Sequence, residues 1–77
     1  MEKTTIPVNV VREWKKEIKI SGPVLIATEA GISFKTFKKA IDEKQAKQYI
    51  TDLINQAIVR LRERRAESSK QLLNTIK

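Results

Sequence analysis

Glycine and proline occur at only three places in this chain, and their placement constrains its fold more than any other feature. Pro7 lies near the N-terminus, Gly22-Pro23 forms an adjacent pair, and Gly31 stands alone. Neither residue occurs in residues 33–77. Because glycine and proline both interrupt helices, they mark the boundaries between successive helical segments. This pattern predicts an all-α fold with one long uninterrupted helix in its C-terminal half.

Apolar residues at helical spacing predict four helices. The first starts near Pro7, the second covers about residues 23–30, and the third covers about residues 33–41. A capping-box pattern at residues 42–45 predicts the start of a fourth, amphipathic helix that reaches about Arg65. Strand signals are absent. The side chains expected to be mostly buried are Val8, Val11, Trp14, Ile26, Ala27, Ile32, Phe37, Ile41, Ile50, Leu53, Ile54 and Ala57.

These helices are expected to form one domain over residues 1–66, with residues 1–6 mobile and residues 67–77 as a helical extension or a frayed tail. A helix of about twenty residues spans about 30 Å, more than such a small core can cover. The surplus of the apolar stripe predicts a partner helix and a homodimer. The expected dimer contacts are Ile54, Ile58 and Leu61.

Trp14 lies on the apolar face of the first helix and is expected to anchor the core rather than to stack on a nucleic-acid base. The charged residues around it, including Glu13 and Glu17, are expected on the solvent face. Four arginines between residues 60 and 65 end the apolar stripe of the fourth helix, where cations interact favourably with the helix dipole.

The composition argues against several classes of function. The chain has no cysteine and no histidine, so the usual nucleophiles, general bases and zinc ligands are missing. We therefore expect no enzyme activity, no metal site, no cofactor and no small-molecule substrate. No stretch is long and apolar enough to span a bilayer, and the N-terminus lacks the apolar core of a signal peptide. The expected location is the cytoplasm, without a membrane partner.

Charge points to a particular class of partner. Sixteen Lys and Arg residues against nine Asp and Glu residues give a net charge of +7. Such a balance favours a polyanion, most often nucleic acid and less often an acidic membrane surface. Many small basic domains have no such partner, so charge alone does not decide the function.

One segment has the spacing that two packed helices joined by a tight turn require. Ala27 is small where the helices must approach closely. Gly31 stands where the chain leaves the first helix and needs a positive φ. Ile32 then fills the angle between the helices, Ser33 can cap the next helix, and Phe37 returns to the core.

Residues 26–41 resemble the helix-turn-helix of bacterial and phage repressors, especially the lactose-repressor type with its signature Ala-x-x-x-Gly-(Val/Ile)-Ser-x-x-Thr-(Val). This chain has Phe37 where a smaller valine is usual. The flanking helices look more like the small domains of phage Cro and repressor proteins, and a ligand-binding domain is not implied. The matching signature residues are Ala27, Gly31, Ile32, Ser33 and Thr36.

The resemblance implies contacts with double-stranded DNA through the helix at residues 33–41. By position, the implied base contacts are Phe34, Lys35 and Lys39, and the implied phosphate contacts are Ser33, Thr36 and Lys38. Lysine can donate to guanine acceptors, and an apolar ring can contact the thymine methyl. Three simpler interpretations remain open: a buried Phe34, an ordinary solvated lysine face, and a Ser33 that serves as a helix cap first.

Two functions compete. The leading hypothesis is a sequence-specific DNA-binding protein, a transcriptional regulator of phage or mobile-element type, that reads the major groove as a homodimer. The alternative is a helical protein–protein interaction module, or an architectural or recombination accessory factor. Salt dependence of duplex binding, together with preference for one sequence, separates the DNA-reading hypothesis from the interaction module.

Overall fold

Four α-helices form the body of the protein in this computed structural model, which describes residues 3–76, with side chains for residues 3–69. The second helix, Pro23–Ala30, packs against the other three and so lies at the centre of the arrangement. The predicted all-α architecture with a long C-terminal helix is confirmed. The elements are β1 (Thr4–Thr5), α1 (Val8–Ser21), α2 (Pro23–Ala30), α3 (Phe34–Glu43), β2 (Gln45–Ala46) and α4 (Gln48–Ile76).

The core is built around two aromatic side chains. The rings of Trp14 and Phe37 lie with their centroids 6.2 Å apart and tilted by 43°. Trp14 Nε1 donates a hydrogen bond of 2.8 Å to Asn55 Oδ1, so the polar edge of the buried indole has a partner. Trp14 is therefore a core anchor. The other buried apolar residues are Ile6, Val11, Ile26, Ala27, Ala30, Ala40, Ala46, Ile50, Ile54, Ala57, Ile58 and Leu61.

Most of the predicted core is confirmed, but Val8 is not part of it. Ile32, Ile41 and Leu53 are half-buried against the core, whereas Val8 is 70 % exposed. The buried residues of α1 are Val11, Trp14 and Glu17. Val8, six residues before Trp14, lies about 120° around the helix from it and so faces away from the core.

Residues 3–6 take part in the fold through a short strand. Strand β1 pairs with β2 in antiparallel register, with Thr4 opposite Ala46. The Ile6 N–H donates to the Lys44 carbonyl at 2.9 Å, and the Ile6 side chain is buried. This short ladder closes one end of the core with a residue that helical spacing could not assign. Met1 and Glu2 lie outside the described residues.

The connection between α3 and α4 also differs from the prediction. Residues 42–45 do not cap a fourth helix, because α3 continues to Glu43 and Lys44 then adopts a left-handed conformation with φ 56°. The chain forms β2 and enters α4 at Gln48. Helix α4 continues past its predicted end at Arg65 as far as Ile76.

Candidate nucleic-acid interface

The turn between α2 and α3 has the predicted geometry. Gly31 adopts φ 75° and ψ 27°, the left-handed conformation expected from its position. Its N–H donates to Thr28 O at 3.1 Å, and the N–H of Ile32 donates to Ala27 O at 3.0 Å. These two bonds form the Schellman pattern that ends a helix on a glycine. Only three residues separate the two helices, so the turn fixes where α3 begins.

Ser33 caps α3. Its Oγ accepts a hydrogen bond of 3.1 Å from Thr36 N, one of the backbone groups left free at a helix start. The hydroxyls of Ser33 and Thr36 lie 2.8 Å apart, and both residues are exposed. The prediction that Ser33 serves as a cap is confirmed. Each hydroxyl still has an oxygen that can accept or donate a bond to an external group.

Helix α3 is strongly two-sided. Phe37 is fully buried and Ala40 is 4 % exposed, which fixes one side of the helix against the core. Successive residues of a helix are rotated by about 100°, so Lys35 and Lys39 point nearly opposite to Phe37. Both lysines are exposed. The core contacts of α3 therefore determine which residues it presents to solvent.

The flanks of this outward face differ in chemistry. Phe34 and Lys38 lie on one flank, and Phe34 keeps 44 % of its surface exposed. Thr36 and Glu43 lie on the other. The structure thus brings the six residues predicted to contact DNA onto one exposed surface of α3 and its cap. An exposed phenylalanine without a partner is unusual, and it gives this surface an apolar element beside its lysines.

The arginines of α4 are not part of that surface, because they bind acids on α1 and α2. Arg60 donates from Nε to Glu29 Oε1 at 3.0 Å and from Nη2 to the Glu29 carbonyl at 2.9 Å. Arg64 also pairs with Glu29. The Arg64 guanidinium, followed by that of Arg60, lowers the pKa of Glu29 from its ordinary value. These contacts attach α4 to the end of α2.

Glu17 forms the second attachment, between α1 and α4. It is fully buried, contrary to the prediction that it faces solvent. It accepts hydrogen bonds from Arg65, from Arg62 at 3.2 Å and from Ser21 Oγ at 2.7 Å. The Arg65 guanidinium contributes most to lowering the pKa of Glu17 to about 2, and burial acts in the opposite direction. Arg62 also reaches Glu13 at 3.2 Å.

The remaining positive charge lies elsewhere. Among the residues that the structure describes, Lys35, Lys38 and Lys47 make no ion pair. Lys39 makes one long contact, 3.9 Å from Glu43. Lys35, Lys38 and Lys47 can therefore bind an external anion without first breaking an ion pair among the described residues. Within the same described range, four further cations lie outside ion pairs: Arg12, Lys15, Lys19 and Lys44.

A groove of about 300 Å³ lies between α3 and the start of α4. Sequence reasoning missed it, because β1 carries Lys3 to this place from the other end of the chain. Lys3 Nζ bonds to Glu43 Oε1 at 2.9 Å, and this contact lowers the pKa of Glu43. The residues that line the groove are Lys3, Thr36, Lys39, Ala40, Gln45, Ala46, Lys47, Tyr49 and Ile50.

The three predicted dimer contacts require a correction. Ile54, Ile58 and Leu61 are 0 %, 4 % and 6 % exposed within the single chain. The core uses the apolar stripe of α4 this far because α1 and α2 both pack along it. These side chains have no surface to offer a second copy.

Comparison with known protein families, with curated proteins and with solved structures finds no match to this chain. Within the described residues, none of the helices is both long and apolar enough to cross a membrane. The same part of the chain contains no group of three or more acidic, histidine or cysteine side chains placed to hold a metal ion.

Proposed function

We propose that this protein binds double-stranded DNA and reads its sequence with α3 in the major groove. One observation carries the proposal. The outward face of α3 presents Lys35 and Lys39, flanked by Phe34 and Lys38, whereas the arginines of α4 are paired with acidic residues of the same chain. A helix held in this way behind a tight turn can enter a groove without distorting the core.

The surface divides by chemistry into two roles. Lys35 and Lys39 lie at the centre of the exposed face, where base edges would be reached, and ammonium groups donate to guanine O6 and N7. Phe34 supplies an apolar surface suited to a thymine methyl. Ser33, Thr36 and Lys38 lie beside them, where hydroxyl and ammonium groups suit phosphate oxygens. We assign base contacts to the first three residues and phosphate contacts to the others.

Regulation of transcription by a homodimer is part of the same proposal. A single helix reads few base pairs, and two copies would double the length of the site. The contact between copies lies outside Ile54, Ile58 and Leu61, which are buried. Sedimentation with and without the preferred duplex tests this part: two chains per duplex support the homodimer, and one chain at saturation contradicts it.

The competing hypothesis, a helical protein-interaction module, depended on a surplus apolar stripe on α4. Most of that stripe is buried in the chain's own core as far as Leu61, although Leu53 is half-buried and Tyr49 is 49 % exposed. Most of the apolar surface on which the module depended is therefore used by the core.

The test compares two lysines of equal charge on the same helix. Duplexes are first selected from a random pool, and affinities for the preferred and random sequences are then measured over a range of salt concentrations. Lys35→Ala should weaken binding to the preferred site by about 1–3 kcal/mol and relax the preference at about one or two base pairs. Lys38→Ala should weaken all sequences equally and reduce the salt slope by about one.

Equal losses for the two variants on both kinds of duplex would contradict major-groove reading. A wild-type chain that shows no salt-dependent binding to any duplex would overturn the proposed function altogether.

A further inference from the structure

We infer that the groove between α3 and the start of α4 binds a backbone phosphate of the duplex, and that Glu43 competes with this phosphate for Lys3. The inference rests on the proposed function for the identity of the ligand, and it adds a second binding site and an internal competitor. The exchange is one carboxylate for one phosphodiester on the Lys3 ammonium group.

The groove has the chemistry of a phosphate site. Three lysines, Lys3, Lys39 and Lys47, are among the residues that line it, together with Thr36 and Tyr49, which carry hydroxyls. Ammonium and hydroxyl donors are the side chains that most often hold backbone phosphates. Its volume of about 300 Å³ leaves room for a phosphodiester group with its neighbouring atoms.

The fold assembles this site from four parts of the chain. Strand β1 positions Lys3, helix α3 positions Thr36 and Lys39, and β2 leads directly into Lys47 and then Tyr49. Thr36 and Lys39 are also adjacent to the outward face of α3. A duplex whose major groove receives α3 would therefore bring one of its backbones toward the groove.

Glu43 already neutralises part of this charge. Its carboxylate lies 2.9 Å from Lys3 Nζ and 3.9 Å from Lys39 Nζ. The exposed fraction of the side chain is 39 % for Glu43, 41 % for Lys3 and 66 % for Lys39. Exposed ion pairs contribute little to stability, so a phosphate can replace this carboxylate at little cost.

The contrast with Glu17 shows why Glu43 is exchangeable. Glu17 is fully buried and receives bonds from Arg62, Arg65 and Ser21, so removing its partners would leave a charge inside the core. Glu43 can turn its carboxylate into water. Because it opposes every phosphate equally, it lowers affinity for all sequences and leaves discrimination to the residues that reach bases.

The experiment measures binding to a random-sequence duplex for two matched pairs of variants. Glu43→Gln removes the competitor, and Glu63→Gln removes an exposed acid of α4 that makes no ion pair among residues 3–69. Lys47→Ala removes a cation of the groove, and Lys19→Ala removes an exposed cation outside it.

Glu43→Gln should tighten binding by about three- to tenfold and steepen the salt slope by about one, whereas Glu63→Gln should change affinity by less than about twofold. Lys47→Ala should weaken binding by about three- to tenfold and reduce the slope by about one, and Lys19→Ala should have a smaller effect. Thermal melting confirms that each variant is folded.

Equal affinities for the two glutamine variants, or for the two alanine variants, would overturn the inference. If Lys35→Ala still lowers affinity for the preferred duplex in that case, the proposed function survives and only the groove site fails. Amide NMR shifts of Lys47 and Tyr49 identify the ligand: they should move with a short duplex at concentrations where inorganic phosphate has no effect. Equal responses to both would assign the groove to a free anion and contradict the duplex site.

Discussion

Gly31→Val should lower the free energy of unfolding by about 1–2 kcal/mol, and the structure isolates the reason. A Cβ added at Gly31 would meet no atom within 4 Å, so the first atom of the new side chain causes no clash. The cost comes from the backbone, because φ is 75°. A left-handed conformation costs an ordinary residue roughly 1–2 kcal/mol, and β-branching makes it worse. Replacing glycine also lowers the conformational entropy of the unfolded chain, which offsets about 0.4–1 kcal/mol of this cost.

Thermal and urea unfolding of the variant measure this loss. In a domain of this size, a loss of 1 kcal/mol corresponds to a decrease in melting temperature of about 4–8 °C. Gly31→Asn is the matched control, since asparagine tolerates the left-handed region, and it should remain close to wild type. Gly22→Ala provides a second comparison. Gly22 has φ 86° and ψ 150° and precedes Pro23, a conformation that alanine adopts only with strain, so this variant should lose more stability than Gly31→Val, about 1–3 kcal/mol. A valine variant that melts with the wild type would refute this account of the turn.

Three further changes test the core and its ion pairs. Phe37→Ala should destabilise by about 3–5 kcal/mol in urea, because the ring is fully buried against Trp14; a loss below about 1 kcal/mol would contradict that packing. Ile6→Ala should lower the free energy of unfolding by about 2 kcal/mol or more, because the Ile6 side chain is buried; an unchanged stability would instead support the expectation that residues 1–6 are mobile. The pKa of Glu17 lies near 2 in the folded protein, below its ordinary 4.5, so its contribution is present above pH 4.5 and is lost as the pH falls toward 2. Glu17→Gln should therefore be less stable than wild type at pH 7, with a difference that narrows on acidification; a difference that does not change with pH would contradict this role.

The features that could be predicted from sequence are those set by neighbouring residues. Gly31 and Ser33 act within one turn of their own helices, and helical spacing alone places Phe37 in the core. The exposed face of α3 can be predicted in the same way, because a buried Phe37 places Lys35 on nearly the opposite side of the helix.

The features that could not be predicted depend on residues far apart in the chain. Glu17 and Arg65 are separated by 48 positions, and the pairing of Lys3 with Glu43 spans 40. No local pattern encodes such pairs, although Glu17 does follow Trp14 by three residues, the spacing of the buried face. The strands have two residues each, too few for an alternating pattern to reveal them.

The length of α4 has a consequence for whatever lies at its far end. Leu61 is the last residue of this helix that is buried among those with described side chains, and the helix continues to Ile76. Among the same residues, Arg65 is the last of α4 that bonds to α1, and at about 1.5 Å per residue the helix from there to Ile76 spans roughly 16 Å. A helix acts as a stiff spacer rather than a flexible tether, so it would hold an attached group at a set distance and rotational angle from α3. One residue inserted after Ala66 would turn that group by about 100° and leave the core unchanged.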